Sequence, residues 1–289
     1  MIGTPFLARQ ERFAVVGSTN DIVRRWLAAG EPEVCLAIAD EQSAGRGRDG
    51  RTWSAPTGRA LLLSLGFRPA WLAPDRVWRL AAVTSLAMAV AAEEVGSLAE
   101  RSVRLKWPND LIVEVESSGE RLAGASASTS EDSGSVRHLE VRKLAGILGE
   151  TDGLGGSDPR AVIGIGINAD WPASEFPPEL ADTMTSLREA SGGRSIDGAL
   201  LLVAFLAHLQ ARIEALRGGR FDAADWLDRQ LTTGRTIRLV GHGGDEQIVR
   251  ALRSDPVSGA LLVEDLRSPT GERAVVSGEI RHVRLGGVV

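Results

Sequence analysis

The stretch Ala39–Trp53, ADEQSAGRGRDGRTW, decides which fold this chain can adopt. Gly45, Gly47 and Gly50 satisfy a G-x-G-x-x-G spacing behind the apolar run Val34–Ala39, which in isolation suggests a dinucleotide-binding turn. Such a turn must open a helix whose N-terminus holds a pyrophosphate. Here Arg51-Thr52-Trp53 runs into Pro56 and Gly58, and then into the apolar run Ala60–Phe67, so no helix can start. The three arginines, Arg46, Arg48 and Arg51, are fork-shaped donors suited to carboxylate or phosphate oxygens. Carried on a glycine-rich backbone, they read as a mobile arginine lid; the bland alternative is a solvated charged loop.

Working outward, Ser18-Thr19-Asn20 offers N-cap chemistry before Ile22, Val23, Trp26 and Leu27, a helical face ending near Gly30. The seventeen residues before Ser18 are too few for a folded domain. Val34–Ala39 and Ala60–Phe67 read as buried strands, and Pro74–Val95 as a long helix stopped by Gly96. Val103–Lys106 and Leu111–Val115 read as strands around a Trp-Pro-Asn-Asp turn. The run from about 116 to 140, rich in Ser, Gly, Glu and Asp, reads as a flexible insertion. Two apolar strands follow, Leu144–Leu148 and Ala161–Ile167, then a helix over Asp197–Leu216 with Leu202, Leu206, Leu209 and Ile213 on one face, and a short helix around Asp222–Leu231. From Gly234 the pattern becomes short strands at Thr236–Val240, Gln247–Leu252, Ala260–Leu266 and Ala274–Val283, a small β-barrel of about fifty residues. The expected architecture is α+β: a mixed sheet core flanked by helices over 1–233, then a β module over 234–289.

Composition removes several classes. A net charge of −5 gives no general attraction to nucleic acid or to an anionic membrane. The apolar run Leu80–Ala92 is too short to span a bilayer, and no secretory signal pattern opens the chain, so a cytoplasmic location is expected. The single cysteine, Cys35, reads as a buried structural thiol. More informative is a bias: of 33 basic residues only Lys106 and Lys143 are lysines, and only Asn20, Asn109 and Asn168 are asparagines. A lysine kept against such a bias suits a place that needs a compact ammonium.

Those rare residues fall in four short motifs. In RLKWPNDLIV, Lys106 suits a phosphate and Asn109 a base or ribose edge, unless the turn needs Asn in a left-handed conformation. In VRKLAGIL, Lys143 begins an apolar strand and would neutralise reacting oxygens, or else snorkel to water. In AVIGIGIN, alternate glycines admit another backbone or a flat ligand, and Asn168 closes the run. The fourth is the Ser18-Thr19-Asn20 cap.

Together, Ser18-Thr19-Asn20, Gln42 with GRGRDGRTW, KWPND, KLAGIL and GIGIN resemble the catalytic core of biotin–protein ligases, in order and from about residue 15 onward. The resemblance implies that the β module is SH3-like. It also implies two steps, in which the biotin carboxylate attacks the α-phosphate of Mg·ATP to give biotinyl-5′-AMP, and a lysine of a biotin carboxyl carrier domain of an acyl-CoA carboxylase attacks the mixed anhydride. Mg2+ would arrive with ATP and have no fixed protein site. Carried over residue by residue, Ser18, Thr19, Asn20, Gln42, Gly45, Arg46, Gly47, Arg48 and Gly146 fall on the biotin side. Arg48, Arg51, Trp53, Lys106, Asn109 and Asn168 fall on the nucleotide side. Lys143 bridges both, and Lys143, Arg48 and Lys106 are the expected catalytic cations. The short segment before Ser18 implies the ligase-only form, as monomer or homodimer, without the winged-helix domain that some members use as repressors. A near-copy of the lysine motif, Arg121-Leu122-Ala123-Gly124-Ala125, is set aside because it offers Arg in place of Lys.

Three rival readings differ in testable ways. A lipoate–protein ligase shares the chemistry, but GRGRDGR with KWPND argues against it. A biotin-responsive transcriptional regulator would need a DNA-binding domain. A biotin-carrier module would need an acceptor lysine beside methionines, and Met1, Met88 and Met184 lie far from both lysines in sequence.

Overall fold

The computed structural model describes residues 6–116, 139–241, 245–276 and 279–282. Most of the expected insertion, and the near-copy at Arg121, lie outside them. Twelve strands and five helices form among these residues: β1 (Arg9–Val16), α1 (Thr19–Ala28), β2 (Cys35–Gln42), β3 (Ala60–Phe67), α2 (Trp78–Gly96), β4 (Val103–Lys106), β5 (Asp110–Glu116), β6 (Leu139–Asp152), β7 (Arg160–Asn168), α3 (Leu187–Ala190), α4 (Gly198–Arg217), α5 (Ala223–Asp228), β8 (Thr236–Val240), β9 (Glu246–Ser254), β10 (Leu261–Glu264), β11 (Glu272–Val275) and β12 (Glu279–His282).

The first sheet runs β1-β2-β3-β7-β6-β5-β4, and is mixed because β1 lies parallel to β2 while the other neighbours are antiparallel. β1 was not expected from the sequence. Its residues RQERFAVV are none of them buried, since an outer strand tolerates charge that a central one would exclude. Strand alternation sorts the central strands cleanly. Ile163, Ile165 and Ile167 of β7 face α2 and α4 within one large apolar core, whereas Val162 packs under α1 with Val23 and Leu27. Gly66 makes room for α1, because a Cβ there would come within 2.6 Å of Val23. α4 is long and apolar enough to cross a bilayer by composition, but it lies against α2 with Phe205, Leu209 and Ile213 fully buried. Cys35 is buried, as expected, and burial pushes its thiol up to about 11, so it stays protonated.

Several boundaries differ for local reasons. Ser18 stands at the N-cap of α1, but its side chain makes no capping hydrogen bond. α2 ends on a left-handed Ser97 and not at Gly96, which is its last helical residue and is packed against Leu187. The expected last strand is two: β11 pairs with β10 at one edge and β12 with β8 at the other, giving the order β11-β10-β9-β8-β12.

One buried ion group ties α2 to α5 and β4. Arg229 donates to Glu93 at 2.7 and 3.0 Å and to the Val103 carbonyl at 2.9 Å, while Glu93 accepts from the Val103 amide. Its side chain is 3% exposed and Glu93's 7%. Removing Glu93 leaves the buried Arg229 with Asp225, at 3.2 Å, as its remaining carboxylate partner, and with half of its hydrogen bonds unmet. Glu93→Ala is expected to lower unfolding stability by about 3 kcal/mol in a urea titration.

Candidate active site

One row of cross-strand partners organises the site. Ala39 pairs with Leu62, Leu62 with Gly166, Gly166 with Gly146, Gly146 with Asp110, and Asp110 with Lys106. Residues paired this way share a sheet face. Three motifs distant in sequence, KWPND, KLAGIL and GIGIN, therefore meet side by side on the face opposite α2 and α4. Gly164 and Ser64 lie in the next row but one along the strands, beside Leu148. With glycines at 146, 164 and 166 the sheet is bare here, and a cavity open to solvent lies over it.

The glycines admit side chains. No Cβ would fit at Gly164 because Asn20 lies on it, nor at Gly166 because the Trp53 indole lies on it. Trp53 Nε1 is buried there without a hydrogen-bond partner, 5.4 Å of ring–cation distance separating the indole from Lys143 Nζ.

Lys143 owes its direction to an irregularity. Leu111 pairs with Ala145 but Ile112 pairs with Lys143, so β6 carries an extra residue at this point. A bulge of this kind re-aims a side chain. Lys143 is thus mid-strand, not at the strand start as expected, because Leu139–Arg142 continue the ladder with β5. Its backbone amide and carbonyl bond instead to Thr183 and Thr185, both at 2.8 Å. Its ammonium meets Asp110 Oδ1 at 2.7 Å, a partner that sequence reasoning did not single out.

The lid also carries main-chain pairing that its glycines do not suggest. Gly47 N donates to Arg51 O, Arg51 N to Arg48 O and Trp53 N to Gly45 O, and Arg46 bridges Thr52, so residues 45–53 form a small hairpin. Its tip is Asp49-Gly50, with φ of 55° and 73°. Two successive positive φ values make the primed turn that Asp-Gly favours, and that signal stood in the sequence. Arg46 lies across the mouth and donates to both Asp21 oxygens at 2.8 Å, with Glu150 at 3.4 Å. Glu150 also accepts from Asn20 Nδ2 at 2.8 Å and pairs with Arg24 at 2.7 Å. Neither Asp21 nor Glu150 is marked by rarity in the sequence, as the two lysines and three asparagines are.

Of the expected site residues, Ser18, Asn20, Gln42, Arg46, Gly47, Arg48, Arg51, Trp53, Lys106, Asn109, Lys143 and Gly146 line the cavity. Thr19 stands behind it, donating from its amide to Gln42 Oε1 at 2.8 Å and so aiming that side chain; its hydroxyl also reaches Ser64. Gly45 stands behind as well, packed against the Trp53 carbonyl. Asn168 does not join them: it is 4% exposed and its amide donates to the Thr185 carbonyl at 2.9 Å. Asn109 is cavity-lining, but its amide clasps the Ile147 carbonyl at 2.8 Å, and no left-handed conformation is involved.

The profile of the biotin/lipoate A/B protein ligase family matches residues 13–168, more than half of the chain. The chain belongs to that family. The match contains every motif in the cross-strand row. A biotin–[acetyl-CoA-carboxylase] ligase of Mycobacterium tuberculosis is 29% identical over 276 residues, spanning 94% of this chain and 88% of the relative. The bifunctional ligase/repressor BirA of Escherichia coli is 31% identical over 229 residues, spanning 78% of this chain and 60% of that protein. The biotin protein ligase of Aquifex aeolicus, solved with biotin and ATP, superposes with a TM-score of 0.69 at 22% identity, covering 97% of this chain and 100% of that one. The expected fold, a mixed sheet core followed by a small SH3-like β module, is the fold of these proteins.

The Asp21–Arg46 bond has a measurable consequence. Arg46's hydrogen bonds hold the Asp21 carboxyl below its usual range. A depressed folded-state value means the contact is present above the ordinary carboxylate range and lost only as pH falls through the lower folded value. Lid protection should therefore persist at pH 5. Asp21→Asn should speed tryptic cleavage after Arg46, Arg48 and Arg51 about two- to fivefold, read by mass spectrometry.

Proposed function

We propose that the chain is an ATP-dependent biotin–protein ligase, which joins biotin to ATP as biotinyl-5′-AMP and then to a lysine of a biotin carboxyl carrier domain. One observation carries the reading: arginines 46, 48 and 51 and lysines 106 and 143 converge on one cavity over a bare stretch of sheet. Two anions must meet in the first step, and the site gathers the cations that would let them. The names of the relatives supply the substrate.

In this reading biotin lies toward Ser18, Asn20, Gln42, Arg46, Gly47 and Gly146, with Thr19 and Gly45 shaping that wall. The nucleotide lies toward Arg48, Arg51, Trp53, Lys106 and Asn109; Asn168, spent on Thr185, is left out. The biotin carboxylate oxygen attacks the α-phosphorus, the P–O bond to pyrophosphate breaks, and Lys143 and Arg48 neutralise the charge on the bridging oxygens. In the second step the neutral carrier amine attacks the biotinyl carbonyl, AMP leaves, and the amine's proton is lost to solvent. The lid excludes water from the anhydride meanwhile. Mg2+ enters as part of the nucleotide.

The test is incubation of the chain with ATP, biotin and a carrier domain. A mass gain of one biotinyl group on the carrier is expected, and gain with lipoate but not biotin would favour the sister activity in the family. Lys143→Ala should reduce biotin-dependent pyrophosphate release by at least about a hundredfold.

A further inference from the structure

The turn between β4 and β5 belongs to two cores at once. Lys106 and Asp110 bracket it in the cross-strand row of the first sheet. Trp107, between them, is 4% exposed and packs in the apolar core of the second sheet with Ile237, Leu261 and Val263. Its Nε1 donates to the carbonyl of Gly259 at 3.1 Å. Gly259, at φ +75°, lies flat on the ring of Trp78 at the start of α2, where a Cβ would come within 2.7 Å of the indole. Two further contacts tie β4 and β5 to the segment that leads into β8. Leu105 of β4 exchanges main-chain hydrogen bonds with Arg229 and Leu231 at 2.8 Å, and Arg235 pairs with Glu114 of β5 at 2.8 Å. Ile280, from the same core as Trp107, reaches the cavity wall.

We propose that Trp107 is a positioning residue. At the cavity edge itself and held beneath the Gly259 turn, it fixes Lys106 and Asn109 against the nucleotide half of the cavity. The inference rests on the ligase reading above. It has a selective signature, because Ser18, Asn20 and Gln42 stand on α1 and β2 and are built without Trp107. A displaced turn costs nucleotide binding and spares biotin binding. A small misplacement of a charged group is enough for such a loss.

The experiment is steady-state pyrophosphate release by the full chain, with ATP and biotin varied in turn, for wild type, W107A, W107F and G259A. W107A is expected to raise KM for ATP about tenfold or more while KM for biotin changes less than about twofold. W107F keeps the apolar plug, loses the bond to Gly259, and should fall between. G259A lies outside the cavity and reaches the turn only through Trp78 and Trp107; it should raise KM for ATP about threefold. Equal rises in both KM values, or a G259A enzyme with wild-type KM for ATP, would overturn the proposal. Should W107A fail to fold in a thermal melt, W107F and G259A decide the matter by the same criteria. A wild-type chain that releases no pyrophosphate with biotin would overturn the ligase reading itself.

Discussion

Everything in the site depends on the register that sets Gly146 opposite Gly166. Because side chains alternate across a strand, a slip of one residue in β6 or β7 would turn that strand's glycine toward α2 and place an isoleucine in the cavity. The correct register is enforced from the other face, where Ile163, Ile165 and Ile167 must meet the helical core. Burial on one side thus keeps the opposite side bare. The bared strip brings Asp110 and Lys106 level with the glycines and gives Trp53 a flat bed. The bulge in β6 then adds the one deviation that the proposed chemistry would use, turning Lys143 toward the strip without disturbing Gly146.

A second constraint is electrostatic. Cations assembled to receive two anions repel one another, and each needs a counter-charge. Asp110 meets Lys143, and Asp21 with Glu150 meets Arg46. Asp110, in the cavity wall, stands where a ligand oxygen would stand in the proposed reaction, while Asp21 and Glu150 hold Arg46 from outside the wall, so the cations are poised instead of scattered. Binding becomes an exchange of one anionic partner for another, which limits the reorganisation each step requires.

Much of this was legible in the sequence, and the exceptions have physical causes. β3, β8 and the faces of α1 and α4 followed from apolar periodicity, because burial enforces that periodicity. β1 did not, because an outer strand with one shielded side carries no such pattern. Both residues that the rarity of lysine picks out, Lys106 and Lys143, lie in the cavity wall. The rarity of asparagine was a weaker guide: Asn109 and Asn168 spend their amides on the carbonyls of Ile147 and Thr185, partners that only the folded chain brings near. The Asp49-Gly50 tip was readable but lay hidden inside a glycine pattern that resembled something else. Asp21 and Glu150 carry no motif signal of their own, and Asp110 enters only as the last residue of KWPND with no role attached; their importance comes from what they face.

The presence of only two lysines makes the central claim, that Asp110 holds the place of a ligand anion, directly observable. With lysine labelled at its side-chain carbons and nitrogen, the NMR spectrum holds one set of signals for Lys106 and one for Lys143, assignable with a single substitution. The account predicts that saturating biotin and ATP moves the Lys143 signals, and that Asp110→Asn shifts them in the free protein but scarcely in the bound one. Lys143 signals that stay at their free-protein position in the saturated protein would contradict it.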